Sequence, residues 1–387
     1  MRVGIIGAGQ LARMLLESAS ALGLEVTILA EHPDDAAALT AHNVIIGTPK
    51  DPEALAALAD VVDVITFDHE LVDLDLLEEL ESAGTVRVAP SPAALICAVD
   101  KVAMRTHLAG HDLPMPDFLA IEPGSAFSFD DLGGRFGWPM VVKAARGGYD
   151  GRGVFVVDNV DDARTVINRL HGEGTTALIE EHVVIVSELA ALVCRDSAGI
   201  IVSWPVVETA QIDGVCREVL VPGNVSDAQR QEGENIALAV ADIVKNVGIM
   251  AVELFATERG LLINELAMRP HNSGHWTQDG SVTSQFENHL RAVAGLPMGA
   301  PSMTATHVAC INVFGGPDAL DPFHSLHDAL GVSGAHIHLY GKEPRPGRKL
   351  GHVTVTGDDP DEIRHAGWAA AISLGTVMPD ELKRETR

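Results

Sequence analysis

Lysine is scarce in this chain of 387 residues: there are seven, beside 20 arginines, and these 27 cations face 54 aspartates and glutamates. The formal net charge of −27 repels polyanions and excludes nucleic acid as the main partner. Each lysine is therefore worth locating, because a phosphate site needs cations that this composition supplies sparingly. Cysteine is rarer still. Cys97, Cys194, Cys216 and Cys310 form neither a CxxC pair nor the dense framework of a small secreted domain, which fits a reducing cytoplasm. A long apolar run is also missing. The most apolar stretch, residues 236–255, is broken by Asp242, Lys245, Asn246 and Glu253 and falls short of the roughly 20 residues a membrane helix needs. The N-terminus runs straight into the strand-like Val3-Gly4-Ile5-Ile6 instead of a signal peptide. These absences predict a soluble, cytoplasmic protein with no membrane partner. What is present, 47% hydrophobic residues with 37 glycines and 20 prolines, is ordinary for a globular chain and excludes disorder as the main state. The length suits two or three domains of about 100 to 200 residues.

The first hundred residues alternate β-branched runs (3–6, 26–29, 64–67, 86–89) with helical patterns (11–22, 73–80), which predicts a βαβ repeat and a parallel sheet. A helix over 93–109 leads into Leu113-Pro114-Met115-Pro116, and a first boundary is placed near residue 100. From residue 139 the order becomes strand (140–144), glycine loop (146–153), strand (154–157), helix (161–171) and strand (177–181), an α+β unit. Antiparallel strands over 188–222, with turns at Ser197-Ala198-Gly199 and Asp213-Gly214, precede a helix over 228–246, a hairpin around Glu258-Arg259-Gly260 and a helix over 285–294. After residue 300, strands near 307–313, 336–340 and 352–355 end in a helical tail.

Several segments carry candidate chemistry. Gly7-Ala8-Gly9-Gln10-Leu11-Ala12 follows a strand and opens a helix, where backbone amides can meet a phosphate. On its residues alone it suits a small phosphate, a nicotinamide nucleotide with Glu31 on its ribose, or no ligand at all. Lys143 stands at a strand end before a loop with Gly147, Gly148, Gly151 and Gly153, which can fold over phosphates although it lacks the P-loop order. In the hairpin, a turn centred on Arg259 sets Glu253 opposite Glu265, with Cβ atoms about 5 Å apart. Two carboxylates so placed repel by roughly 3 kcal/mol at an effective dielectric near 20, so a cation between them is expected, and magnesium suits hard oxygen ligands. The alternative is a solvated strand face, which the apolar neighbours Val252, Leu254, Ile263 and Leu266 disfavour. Residues 269–276 (RPHNSGHW) read as a substrate loop. His271 and His275 have zinc-like spacing, but Pro270 and Gly274 oppose the helix such a site requires. The basic turn 345–352 is, by itself, a solvated loop.

Taken together, Gly9-Gln10-Leu11, residues 147–153 (GGYDGRG), Ile263-Asn264-Glu265-Leu266-Ala267, residues 271–277 (HNSGHWT) and residues 345–352 (RPGRKLGH) resemble the ATP-grasp superfamily. Within it they resemble the N5-carboxyaminoimidazole ribonucleotide synthetases, motif by motif over residues 7–352. The resemblance implies a mixed α/β and α+β fold: a Rossmann-like N-terminal domain (1–100), an ATP-grasp body of two α+β parts (101–300, lid 112–178) and a C-terminal subdomain (301–387). It implies ATP- and bicarbonate-dependent carboxylation of 5-aminoimidazole ribonucleotide through carboxyphosphate, by a homodimer. Lys101 and Lys143 would meet the ATP phosphates. Gly148, Tyr149, Asp150, Gly151, Arg152, Gly153 and Val154 would cover them, Glu180, Glu181, His182 and Val183 would follow the adenine, and Glu188 would hold the ribose with Gln211 nearby. Glu253 and Glu265 would bind magnesium beside Asn264. Tyr149, Asp150 and Arg152 would face the ribonucleotide, which Gly9, Gln10, Leu11, Ser273, His275, Arg348 and Lys349 would also contact, the last two at its phosphate. Arg269, His271 and Asn272 would orient bicarbonate and the intermediate.

The chain departs from that pattern at Ala12, where Gly is common, at Met268, where Pro is usual, and at Asp68-His69-Glu70, a loose match to an acidic pair. Two rival functions remain at this point. One is the related formate-dependent glycinamide ribonucleotide formyltransferase, which the HNSGHWT loop opposes. The other is a nicotinamide-dependent oxidoreductase or binding module, resting on Gly7, Gly9, Ala12 and Glu31.

Overall fold

The computed structural model describes residues 1–147 and 153–385. At the N-terminus the β-branched runs become β1 (Arg2–Ile6), β2 (Glu25–Ala30), β3 (Asn43–Ile46), β4 (Val64–Phe67) and β5 (Arg87–Val88), a parallel sheet of order β3-β2-β1-β4-β5. The chain leaves β1 toward β2 on one side and β4 lies on the other, so a crevice opens beyond their C-terminal ends, where Gly7 and Asp68 sit. β3, a half-buried edge strand, and the helix Pro52–Val61 lie outside the pattern expected from sequence. The helix had a local signal in Asp51-Pro52, since Asp51 caps the Glu53 and Ala54 amides.

The helix expected over 93–109 is two helices, Pro92–Val99 and Lys101–Ala109. Asp100 between them is extended, and its carboxylate caps the Val102 and Ala103 amides. The Lys101 N–H donates to the Ala145 carbonyl at 2.9 Å, a tertiary bond that replaces one inside a continuous helix.

β6 (Phe118–Ile121), β7 (Met140–Ala144), β8 (Val154–Val157) and β9 (Ala177–Glu181) form an antiparallel sheet of order β6-β9-β7-β8. Met140, Val142 and Ile179 pack one face against helix Val160–Gly172, leaving Lys143 and Glu180 on the other.

The third sheet contains β10 (Ser187–Arg195), β11 (Ile201–Ser203), β12 (Val207–Ile212), β13 (Val215–Val221), β14 (Gly248–Thr257), β15 (Gly260–Ala267), β16 (His307–Phe314), β17 (Ala335–Leu339) and β18 (Lys349–Gly357). Its order is β15-β14-β10-β12-β13-β16-β18-β17 with β11 on β10, so the strands after residue 300 extend the same sheet. Helix Asp227–Val244 covers Leu189, Ala191, Val252 and Leu254, and helix Pro360–Ser373 covers Ile311, Val353 and Val355. The opposite face carries the polar residues of the cleft.

Candidate active site

Glu188 stands opposite Thr209, Ala190 opposite Glu253, and Glu253 opposite Glu265, so the three glutamates share one face of the large sheet. The route to this pairing differs from the expected one. The turn is the two-residue Glu258-Arg259, from which an unbroken ladder would set Glu253 against Asn264. A bulge leaves Asn264 unpaired and moves Glu265 into register. Both Asn264 and Glu265 consequently reach the cleft, the re-aiming of side chains that bulges produce. Burial first, and then Glu253 and Glu265, push the Glu188 carboxyl up to about 7.

Cations meet this acidic face from two directions. Lys101, at the first position of its helix, donates to Glu265 Oε2 at 2.6 Å. Lys143 on β7 is buried, with Nζ 2.7 Å from Glu180 Oε2 and 3.2 Å from Asn264 Oδ1. Burial lowers its pKa, opposed by Glu180. Glu180 is drawn inward to two cations. It is 2% exposed and shared between Lys143 and Arg105, whose Nε lies 2.7 Å from Oε1. Burial alone would raise its carboxyl, but Arg105 and Lys143 outweigh burial and hold it below the usual range. The Arg105 guanidinium also donates to the Ile263 and Asn264 carbonyls, joining its helix, the four-stranded sheet and the hairpin. At the end of β9 Glu181 is half-buried and holds Arg259; beyond it His182 is exposed, Val183 is half-buried, and Val184 to Val186 are exposed. Phe255, opposite Glu188, adds an apolar side chain to the same face, and Gln211 is half-buried on β12.

The substrate loop is gripped at both ends. Gln285, fully buried, accepts from the His271 N–H at 2.9 Å and donates to the His271 carbonyl at 2.8 Å. His271 Nδ1 meets Ser273 Oγ at 2.8 Å, leaving Nε2 aimed at Glu253 Oε1, 3.2 Å away. Arg269 Nε donates to Glu70 Oε2 at 2.6 Å. Asn272 Oδ1 is buried with no hydrogen-bond partner among the described residues. Two expected substrate contacts prove to stand behind the loop. Ser273 is 1% exposed, and His275 is fully buried between the Phe286 and His352 rings, with Gln285 beside it. Burial, and then Lys349, lower the His275 pKa well below its ordinary value. No three His, Cys, Asp or Glu side chains form a metal cage among the described residues. A magnesium site of two carboxylates needs no such cage, since water and phosphate complete it. The hard oxygens of Glu253 and Glu265, already drawing Lys101 and His271, fit that ion.

At the N-terminal crevice Gly7 has φ +100°, and a Cβ there would come within 2.8 Å of Asp68 Cβ, so only glycine fits. Gly9 caps helix Gln10–Leu22, and its N–H donates to the Asp68 carboxylate. That anion stands where a dinucleotide pyrophosphate would need the amide, which opposes the nicotinamide reading. Leu11, expected at the substrate, packs its side chain into the N-terminal core. Gln10 Oε1 instead accepts from Lys342, a cation the motif reading did not single out. Arg348 donates to the Glu343 carbonyl, and Lys349 Nζ lies 5.9 Å from the Phe314 ring centroid. Burial lowers Lys342 to about 8, with Arg348 and Lys349 adding to the effect. Three of the chain's scarce cations thus gather at this turn, and scarcity was the signal that could have found Lys342. The expected Gly148, Tyr149, Asp150, Gly151 and Arg152 lie outside the described residues, which resume at Gly153 and the exposed Val154.

Family models match the chain in three places: a ribonucleotide synthetase preATP-grasp domain over residues 1–99, an ATP-grasp domain over 98–286, and a phosphoribosylaminoimidazole carboxylase C-terminal domain over 309–366. The chain is 45% identical over 374 residues to the N5-carboxyaminoimidazole ribonucleotide synthase of Mycobacterium tuberculosis, covering 95% of this chain and 86% of the relative. An Aspergillus clavatus carboxyaminoimidazole ribonucleotide synthase complexed with ATP superposes with TM-score 0.86 at 33% identity, covering 96% of this chain and 98% of that one. The Aspergillus clavatus N5-carboxyaminoimidazole synthase in complex with ADP and 5-aminoimidazole ribonucleotide gives 0.86 at 31%, covering 97% and 99%. Sequence, fold and the arrangement of the cleft agree: the chain belongs to the N5-carboxyaminoimidazole ribonucleotide synthase family of ATP-grasp proteins.

Proposed function

We propose that the chain catalyses the ATP- and bicarbonate-dependent carboxylation of 5-aminoimidazole ribonucleotide to N5-carboxyaminoimidazole ribonucleotide, a step of purine biosynthesis that proceeds through carboxyphosphate. The observation that carries this reading is the meeting of Glu188, Glu253 and Glu265 with Lys101, Lys143 and the Arg269–His271 loop in one cleft. Bicarbonate is a poor electrophile, and phosphorylation activates it. Lys101 and Lys143 take the ATP phosphates in place of their present carboxylate and amide partners, offsetting charge as the phosphoryl group moves. Glu188 accepts from the ribose hydroxyls beside Phe255, with Gln211 near, and residues 180–183 border the adenine. Glu253 and Glu265 would hold magnesium, which when bound neutralises phosphate charge.

Arg269, His271 and Asn272 orient bicarbonate and the acyl phosphate; the unpartnered Asn272 oxygen is an acceptor in want of a donor. Gln10, Lys342, Arg348 and Lys349 bind the ribonucleotide phosphate, with Gly9 supporting the turn. By the family resemblance, residues 148–154 would cover the site and exclude water from the labile intermediate, with Tyr149, Asp150 and Arg152, which lie outside the described residues, toward the ribonucleotide. The amine must already be in place when the intermediate forms. The four free thiols fit a cytoplasmic setting, and a homodimer accompanies the family resemblance; light scattering tests the latter.

The deciding experiment measures ADP release by the purified protein with magnesium and ATP, adding bicarbonate and the ribonucleotide separately and together. Stimulation by the ribonucleotide with a bicarbonate-dependent, acid-labile product is expected, and no stimulation by either would refute the reading.

A further inference from the structure

We propose that Glu70 is a positioning residue for the carboxylation step, holding Arg269 in its working orientation and bracing it against the glycine turn of residues 7–9; this rests on the function proposed above. Glu70 lies just beyond β4, and its two oxygens serve consecutive residues of the substrate loop. Oε2 accepts from Arg269 Nε at 2.6 Å and Oε1 from the Met268 N–H at 3.2 Å. The Glu70 and Arg269 side chains are only 16% and 24% exposed, so water competes poorly for this charge-assisted bond. One carboxylate thereby ties both the backbone and the guanidinium of a loop 199 positions away. The bond from Met268 fixes the carboxylate to which Arg269 Nε is held. Arg269 Nη1 adds a bond to the Pro270 carbonyl at 3.1 Å.

The identity of residue 268 matters here. A proline would have no N–H to offer, so Met268 is what gives Glu70 its second partner. Glu70 is also the far end of a short bracket. Two residues earlier Asp68 accepts from Gly9 at the head of helix Gln10–Leu22, and between them the His69 ring lies so close to Gly7 that a Cβ there would come within 2.9 Å of it. Asp68-His69-Glu70 therefore touches the glycine turn that leads into Gln10 at one end and the arginine loop at the other.

Glu70→Gln separates the two bonds: the amide oxygen still accepts from Met268, while its NH2 cannot accept from Arg269 Nε. The expected result is uncoupling, with ADP released per carboxylated product rising about threefold or more, KM for ATP within about twofold of wild type, and Tm little changed. Arg269→Lys removes the Nε donor, so Glu70→Gln should change the ADP-to-product ratio by less than about twofold when added to it. A Glu70→Gln protein that is less stable but fully coupled, or effects of the two changes that multiply, would overturn the assignment. Wild-type protein without ribonucleotide-dependent turnover would instead refute the functional reading, and the assignment with it.

Discussion

Glu253 and Glu265 face each other across the hairpin with Lys101 on one and His271 on the other, so each carboxylate already has a positive or proton-donating neighbour. Burial would raise the Glu265 carboxyl, but Lys101 outweighs it and keeps the group below its usual range, ready to act as an anionic ligand. Replacing Glu265 by Gln keeps the shape and removes the charge. ATP turnover should fall by about 100-fold or more while circular dichroism and Tm stay near wild type. Lys342 supports a second prediction. Alanine there should raise the ribonucleotide KM about tenfold, some 1.4 kcal/mol, without raising the KM for ATP. Because burial lowers this lysine to about 8, it loses its charge as pH passes upward through that value. The ribonucleotide KM of the wild-type enzyme should climb between pH 7 and 9, and Lys342→Arg, which keeps its charge, should flatten that climb.

Arg105 works between elements. From helix Lys101–Ala109 it bonds Glu180 on β9 and two carbonyls of β15 while fully buried. Removing it strands Glu180 with one cation and leaves two carbonyls unpaired. Arg105→Met should therefore cost about 3 to 5 kcal/mol in urea unfolding, more than any cap in the molecule. The elements themselves were largely legible in the sequence. β7, β8 and β9 occupy the ranges their apolar runs predicted, because a strand's period of two is a local property. The break at Asp100 was not, since it depends on Ala145 accepting from Lys101 across the cleft.

Three fully buried histidines shape the pH response of the whole molecule. His289 accepts from the Ile249 N–H at Nδ1, so Nε2 carries the proton and donates to Thr66 Oγ at 2.7 Å. This joins helix Gln285–Val293 to the N-terminal sheet and to β14. Burial lowers His289 to about 3, and lowers His275 and His352 well below the ordinary 6.5. Below pH 6.5 the unfolded chain binds protons that the native state refuses. The stability these groups provide is therefore present above 6.5 and lost progressively as pH falls toward 3. One such group contributes a slope of at most about 1.4 kcal/mol per pH unit, and for His289 the loss runs down to about pH 3, so urea midpoints should fall between pH 6 and 5. His289→Gln, which does not titrate, should make the fall shallower by about one proton's worth.

The amino-acid sequence by itself determined the alternation of strands and helices, the order of the motifs and the family, because periodicity and short spacings are expressed within a few residues of chain. The tertiary structure decided the rest. It set Glu253 against Glu265 through a bulge at Asn264, buried His275 and Leu11, drew Glu180 inward to two cations, and brought Lys342 to Gln10 and Glu70 to Arg269. These contacts join residues far apart in the chain, so their partners exist only once the three sheets have packed together.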